Sequence, residues 1–101
     1  MNDSSEKNFW LCAENRIQTL LNRFVGLLDT ETVESVQHYL DHSEYELAFE
    51  GLFIELMKVD AVLEKDESEI YLKLAMELGL DRDSVFDGKF WEKFKAFMDV
   101  D

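Results

Sequence analysis

The sequence predicts an all-α domain, a compact bundle of about five helices with no sheet. Three observations predict it. No proline and only four glycines interrupt 101 residues, too little punctuation for a sandwich or barrel of many short strands. The chain is also too short for a doubly wound sheet. Along most of its length, apolar residues recur at three- and four-residue spacing, the period of a helix buried on one side. A hydrophobic content of 47% with 13% aromatics excludes a disordered acidic tail. The length fits one domain, 1–101, with a core large enough to fold unaided.

The elements follow in order. Trp10, Ala13, Ile17, Leu20, Leu21, Phe24, Leu27 and Leu28 form one stripe, with Arg16 and Arg23 opposite. They predict a first helix over 5–28, weakened near its end by Gly26. Asp29 or Thr30 caps a second, with Glu31 in the first turn, where the helix dipole favours acid. Val33, Val36 and Leu40 mark its buried side, and it runs to about 41. Ser43 followed by Glu46 fits a capping box and opens a third helix over 44–57. Leu47, Ala48, Phe49, Leu52, Phe53, Ile54, Leu56 and Met57 leave it only a narrow polar strip, so it belongs at the centre. Gly51 there allows close approach of a neighbouring helix. Residues 58–67 form a charged connection. Asp66 with Glu69 offers a cap for a fourth helix over 67–78, burying Ile70, Tyr71, Leu74, Ala75 and Leu78. Gly79 and then Leu80 mark its stop and the trailing apolar contact. A turn-rich link over 81–88 carries Val85 and Phe86. The last helix, over 89–98, turns Phe90, Trp91, Phe94, Phe97 and Met98 inward.

Charge is the strongest functional signal. Ten Lys and Arg face 23 Asp and Glu, for a net charge of −13. Such a chain repels nucleic-acid phosphates and anionic lipid, and favours a basic protein partner. The acids are clustered. No Lys or Arg occurs between Arg23 and Lys58, and residues 29–69 hold 13 acids against two bases. A solvated face explains such a run in many proteins. Clustering also repels itself and costs stability, so a partner that supplies the missing cations is the sharper expectation. The expected contacts are Glu31, Glu34, Asp41, Glu55, Asp60 and Glu64, with Tyr39 and Tyr45 as amphipathic rings beside them.

Candidates for chemistry are few. His38 and His42 share a helix face at the spacing of metal ligands, but no third histidine exists and Cys12 is remote in sequence. No metal, cofactor or catalytic residue is expected, and the protein is not read as an enzyme. Cys12 alone excludes an internal disulfide or a Cys-based zinc site. Glu50 sits within the most apolar helix, where an unpaired buried carboxylate costs several kcal/mol in order of magnitude. It is expected to reach the polar strip or pair with a base. Residues 1–7 lack the basic start and apolar run of a secretory signal. No apolar stretch reaches the ~18–20 residues of a membrane span. A reducing cytoplasm is the expected compartment.

The segment His38-Tyr39-Leu40-Asp41-His42-Ser43-Glu44-Tyr45-Glu46-Leu47-Ala48-Phe49-Glu50-Gly51-Leu52 resembles the MafI-like immunity proteins of bacterial polymorphic toxin systems. Their motif runs hydrophobic, acidic or polar, His, small, Glu, aromatic, any residue, hydrophobic, Ala. It falls here on Leu40, Asp41, His42, Ser43, Glu44, Tyr45, Leu47 and Ala48. The family typically has glycine at the Ser43 position. The specific match spans about 27–57. The resemblance implies an immunity protein that binds and neutralises a cognate toxin domain, as in contact-dependent growth inhibition, where toxins are often nucleases, EndoU-like RNases among them. A nuclease groove is basic, which suits this acidic chain. The free protein is expected to be a monomer, and its charge leaves neither nucleic acid nor a membrane as partner. The rival expectation is an acidic adaptor or nucleic-acid mimic that inhibits a basic regulatory protein; it predicts promiscuity where an immunity protein requires discrimination.

Overall fold

The computed structural model describes residues 3–98. It contains α1 (Asp3–Phe24), α2 (Thr30–Asp41), α3 (Tyr45–Lys58), α4 (Lys65–Glu77) and α5 (Phe90–Met98), with no strand among the described residues. The all-helical expectation holds. The most apolar helix, α3, is central and packs against α1, α2 and α5. Its Ala48, Phe49, Leu52, Phe53 and Leu56 are wholly inaccessible. Phe49, Phe53 and Phe94 meet at ring-centroid distances of 4.6–5.6 Å, two of the three pairs edge-to-face, the arrangement aromatic quadrupoles favour. From α1, Ala13, Ile17, Leu20 and Leu21 complete one continuous core.

Tyr71 shows how the polar tip of a core aromatic is satisfied. Its ring is buried and its hydroxyl donates to the Arg16 carbonyl at 2.8 Å, joining α4 to α1. Burial pushes that hydroxyl above its usual value of 10.0, because the charged form loses water. A second α1 link is the reciprocal amide pair Gln18–Gln37, with bonds of 2.8 and 2.9 Å.

The helix ends correct several sequence expectations. α1 stops at Phe24, not 28, and residues 25–28 form a turn held by the Leu27 amide on the Phe24 carbonyl at 2.9 Å. Leu27 is therefore 58% exposed instead of extending the buried stripe. Asp29 does cap α2, its side chain accepting from the Thr32 amide at 2.7 Å. α4 begins two residues earlier than expected. Its first turn is closed by Glu67, which accepts from the Glu64 amide at 3.0 Å, in place of the Asp66–Glu69 pair. Within α4, Ile70 is 38% exposed while Ser68 takes an inward position.

Three helices finish in one shared way. After α4, the Gly79 amide bonds the Met76 carbonyl and the Leu80 amide the Ala75 carbonyl, both at 3.0 Å. Gly79 is left-handed (φ 84°) and Leu80 is buried behind it, the Schellman stop expected from sequence. The same pair of bonds closes α2 through Ser43 and Glu44, and α3 through Asp60 and Ala61. There the left-handed positions are Ser43 (φ 59°) and Asp60 (φ 53°). Ser43 consequently does not cap α3, and the expected Ser43–Glu46 box does not form; Glu44 is the first flanking residue.

Candidate functional site

The site is built on Glu50. Its side chain is completely buried, and among the described residues it bonds no basic side chain. Instead its carboxylate takes three backbone amides of the link between α4 and α5: Val85 at 2.6 Å on one oxygen, Phe86 at 2.8 Å and Asp87 at 2.9 Å on the other. Consecutive amides converging on one anion form a charge-assisted nest, stronger than neutral hydrogen bonding. Asp87 continues the restraint. Its side chain accepts from the Lys89 amide and pairs with Lys93, each at 2.9 Å. The Lys93 bond first, then the Lys89 amide, holds the Asp87 carboxyl below its usual range.

This clamp fixes the loop backbone and turns its side chains outward. Val85 and Phe86 are each 49% exposed. Phe86 lies beside Tyr39 of α2, with ring centroids 6.2 Å apart and planes at 43°. It also covers Gly51 of α3, where a Cβ would stand 3.7 Å from its ring. What Gly51 faces is a loop aromatic, not the neighbouring helix that the sequence suggested, and a Cβ there would make only ordinary van der Waals contact.

Around this contact runs an open groove of about 350 Å³ between α2 and α3. Its floor is Val36, Gly51 and Ile54; its aromatic side is Tyr39 and Phe86; Glu31 and Glu55 stand on α2 and α3. A smaller hollow of about 220 Å³ adjoins it, sharing Glu31 and Tyr39 and adding Glu34 and His38. The structure therefore unites four of the expected contact residues, Glu31, Glu34, Glu55 and Tyr39. Glu55 is bonded to exposed Lys58 at 3.1 Å, while Glu31 and Glu34 make no ion pair among the described residues.

The other four lie elsewhere. Asp41 sits at the end of α2 and accepts from Gln37, one turn earlier on the same helix, at 2.9 Å. Asp60 occupies the left-handed turn after α3, and Glu64 the entry to α4. Tyr45 is a correction: it is only 6% exposed, stacks on Trp10 at 5.5 Å, and donates its hydroxyl to Glu14 at 3.0 Å. Its ring supports the α1–α3 seam and presents almost no surface to a partner. Sequence reasoning misses Phe86 as a contact, since an apolar residue in a link reads as ordinary packing. The available signal was a glutamate inside an apolar helix together with an apolar pair in a turn-rich segment.

His38 and His42 do share a face, with ring centroids 4.2 Å apart, and the His42 Nδ1 donates to the His38 carbonyl at 2.9 Å. Among the described residues no group of three or more His, Cys, Asp or Glu is placed to hold a metal ion. Cys12 is exposed on α1 beside a shallow hollow with Arg16 and Tyr71. Among the described residues no helix is long and apolar enough to cross a membrane. Comparison with family models, curated proteins and solved structures finds no match to this chain.

Proposed function

We propose that this protein neutralises a basic partner protein by stoichiometric binding, and that the α2–α3 groove with its acidic walls is the contact surface. The resemblance in residues 38–52 makes the partner the cognate toxin domain of a polymorphic toxin or contact-dependent inhibition system, and its chemistry that of a basic nuclease. On this reading the protein works in the cytoplasm by occupying its partner and performs no catalysis. The supporting observation is the meeting of Glu31, Glu34 and Glu55 with the aromatic rings of Tyr39 and Phe86 on one open surface. A half-exposed Phe86 with a partly buried Tyr39, beside Glu31 and Glu34 that carry no ion pair among the described residues, is what an interface anchor and electrostatic steering require.

The test is calorimetric titration of the protein into the toxin domain encoded beside it, at two salt concentrations. A one-to-one complex of nanomolar affinity, about −12 kcal/mol, supports the reading. The triple variant Glu31→Lys, Glu34→Lys, Glu55→Lys is expected to weaken binding strongly and to flatten its salt dependence. Unchanged affinity and salt dependence in that variant would overturn the acidic-surface mechanism. Equal binding to a panel of unrelated nucleases would instead favour an acidic mimic without a cognate.

A further inference from the structure

We propose that the α2–α3 groove is a receptor for a single arginine side chain of the basic partner, laid on the open face of Phe86 between the carboxylates of Glu31 and Glu55. The inference deepens the reading above and rests on it for the partner's identity, while the groove chemistry stands on the residues themselves.

Three features select this occupant. The first is charge. Glu31 and Glu55 belong to different helices and line the same groove, and no Lys or Arg occurs in the sequence between Arg23 and Lys58. Among the described residues the cation paired with these two carboxylates is Lys58 on Glu55, a pair across one helix turn whose lysine is 67% exposed. Exposed pairs of this kind contribute little and exchange readily, so Lys58 is a placeholder that an incoming cation displaces. The second is the ring. Phe86 is half exposed yet held by the amide clamp of Glu50 on its own residue and on both neighbours. A pre-positioned aromatic face offers cation–π attraction with little ordering cost on binding. The third is shape. Tyr39 and Phe86 have centroids 6.2 Å apart, whereas a plane sandwiched between two rings needs about 7 Å for two van der Waals contacts. The guanidinium therefore stacks on the Phe86 ring alone, with the Tyr39 ring tilted beside it at 43°. A volume of about 350 Å³, open along one side, suits a side chain delivered on a protein loop better than an enclosed small molecule.

Arginine fits better than lysine for a physical reason. Its guanidinium is planar, weakly hydrated and forked, so it can stack and hydrogen-bond carboxylates at once. An ammonium is a compact, strongly hydrated point charge and gains less from the ring.

The experiment uses the full isotope-labelled chain and three blocked tripeptides, Gly-Arg-Gly, Gly-Lys-Gly and Gly-citrulline-Gly, titrated to millimolar concentration and followed by amide resonances. The expected result is saturable shifts centred on Tyr39, Gly51 and Phe86. Binding should order as arginine over lysine by about threefold or more, with no saturation by citrulline. Phe86→Leu, which keeps the apolar bulk, and Glu55→Gln should each weaken arginine binding about two- to fivefold. Equal arginine and lysine affinities, or shifts scattered away from the groove, overturn the inference. A tight partner complex alongside that negative result leaves the proposed function standing; arginine binding in the groove without any partner complex overturns the function and keeps the receptor.

Discussion

Glu50 is wholly buried and Glu55 keeps 29% of its side-chain surface, although both are glutamates on α3. Glu50 points its charge at three backbone amides that come from 35 to 37 residues away in sequence. Glu55 stands on the wall of the groove and touches one flexible lysine. The first carboxylate shapes the surface and the second is displayed by it. The contrast teaches that the acidic interval is not one functional unit. Its most sequestered member organises the loop that carries Phe86, and its exposed members supply the field.

The largest expected effect is at the clamp. Glu50→Ala leaves the amides of residues 85–87 without their acceptor in a buried position. A loss of about 2–4 kcal/mol is expected, read from the urea unfolding midpoint. Glu50→Gln keeps the shape but turns a donor toward a donor, and should lose less, about 1–3 kcal/mol. Both should speed hydrogen exchange at Val85–Asp87 more than in α1. A Glu50→Gln protein with unaltered exchange there would erase the distinction between the two glutamates.

Next in size is the α2–α3 corner beside the groove. Ser43 holds a left-handed conformation (φ 59°) that a Cβ disfavours. Ser43→Gly should therefore stabilise the protein by up to about 1 kcal/mol. A destabilised Ser43→Gly would mean that the Ser43 hydroxyl, 3.4 Å from the Tyr45 oxygen and free to donate to it, contributes more than the backbone conformation costs.

On the display side, Glu55→Gln should change stability by less than about 0.5 kcal/mol, while weakening capture of a basic partner and lowering its salt sensitivity. Stability loss comparable to Glu50→Gln would place both residues in one structural role.

The smallest effect concerns a third kind of acid, exposed yet hydrogen-bonded. The Thr32 amide, followed by its hydroxyl, holds Asp29 below its ordinary 3.8, and Lys93 with Lys89 does the same for Asp87. Both groups are depressed in the folded state, so the unfolded chain takes up the proton first. Their stabilisation is present above about pH 4 and is lost as pH falls through the lower folded values. Asp29→Asn preserves a capping oxygen and should make the fall of the urea midpoint between pH 5 and about pH 2 shallower than in the parent. An identical acid limb would remove Asp29 from the linkage.

Helix number, order and most buried faces were legible in the residues. The apolar stripes of α1, α3 and α5 predicted Ile17, Leu21, Phe49, Leu52, Phe90 and Phe94 as core, because helical periodicity is a local property. Gly79 announced its own stop. The equivalent stops at Ser43 and Asp60 were hidden, since the residue that eases a left-handed turn is absent and only the completed bonds reveal it. The candidate site was half legible. The base-free interval pointed to Glu31, Glu34 and Glu55, and the amphipathic ring to Tyr39. Nothing in the spacing excluded Asp41, Asp60 or Glu64, which share the composition but not the location, and Tyr45 looked as available as Tyr39.

The sequence by itself determined five helices, one apolar centre and a large excess of negative charge, because each follows from residue type and short-range spacing. Tertiary structure alone decided which acids meet, that Phe86 stands exposed over Gly51, and that Glu50 finds amides instead of water or a base. Those contacts join segments far apart along the chain, and their geometry exists only once α3 and the α4–α5 link have packed together.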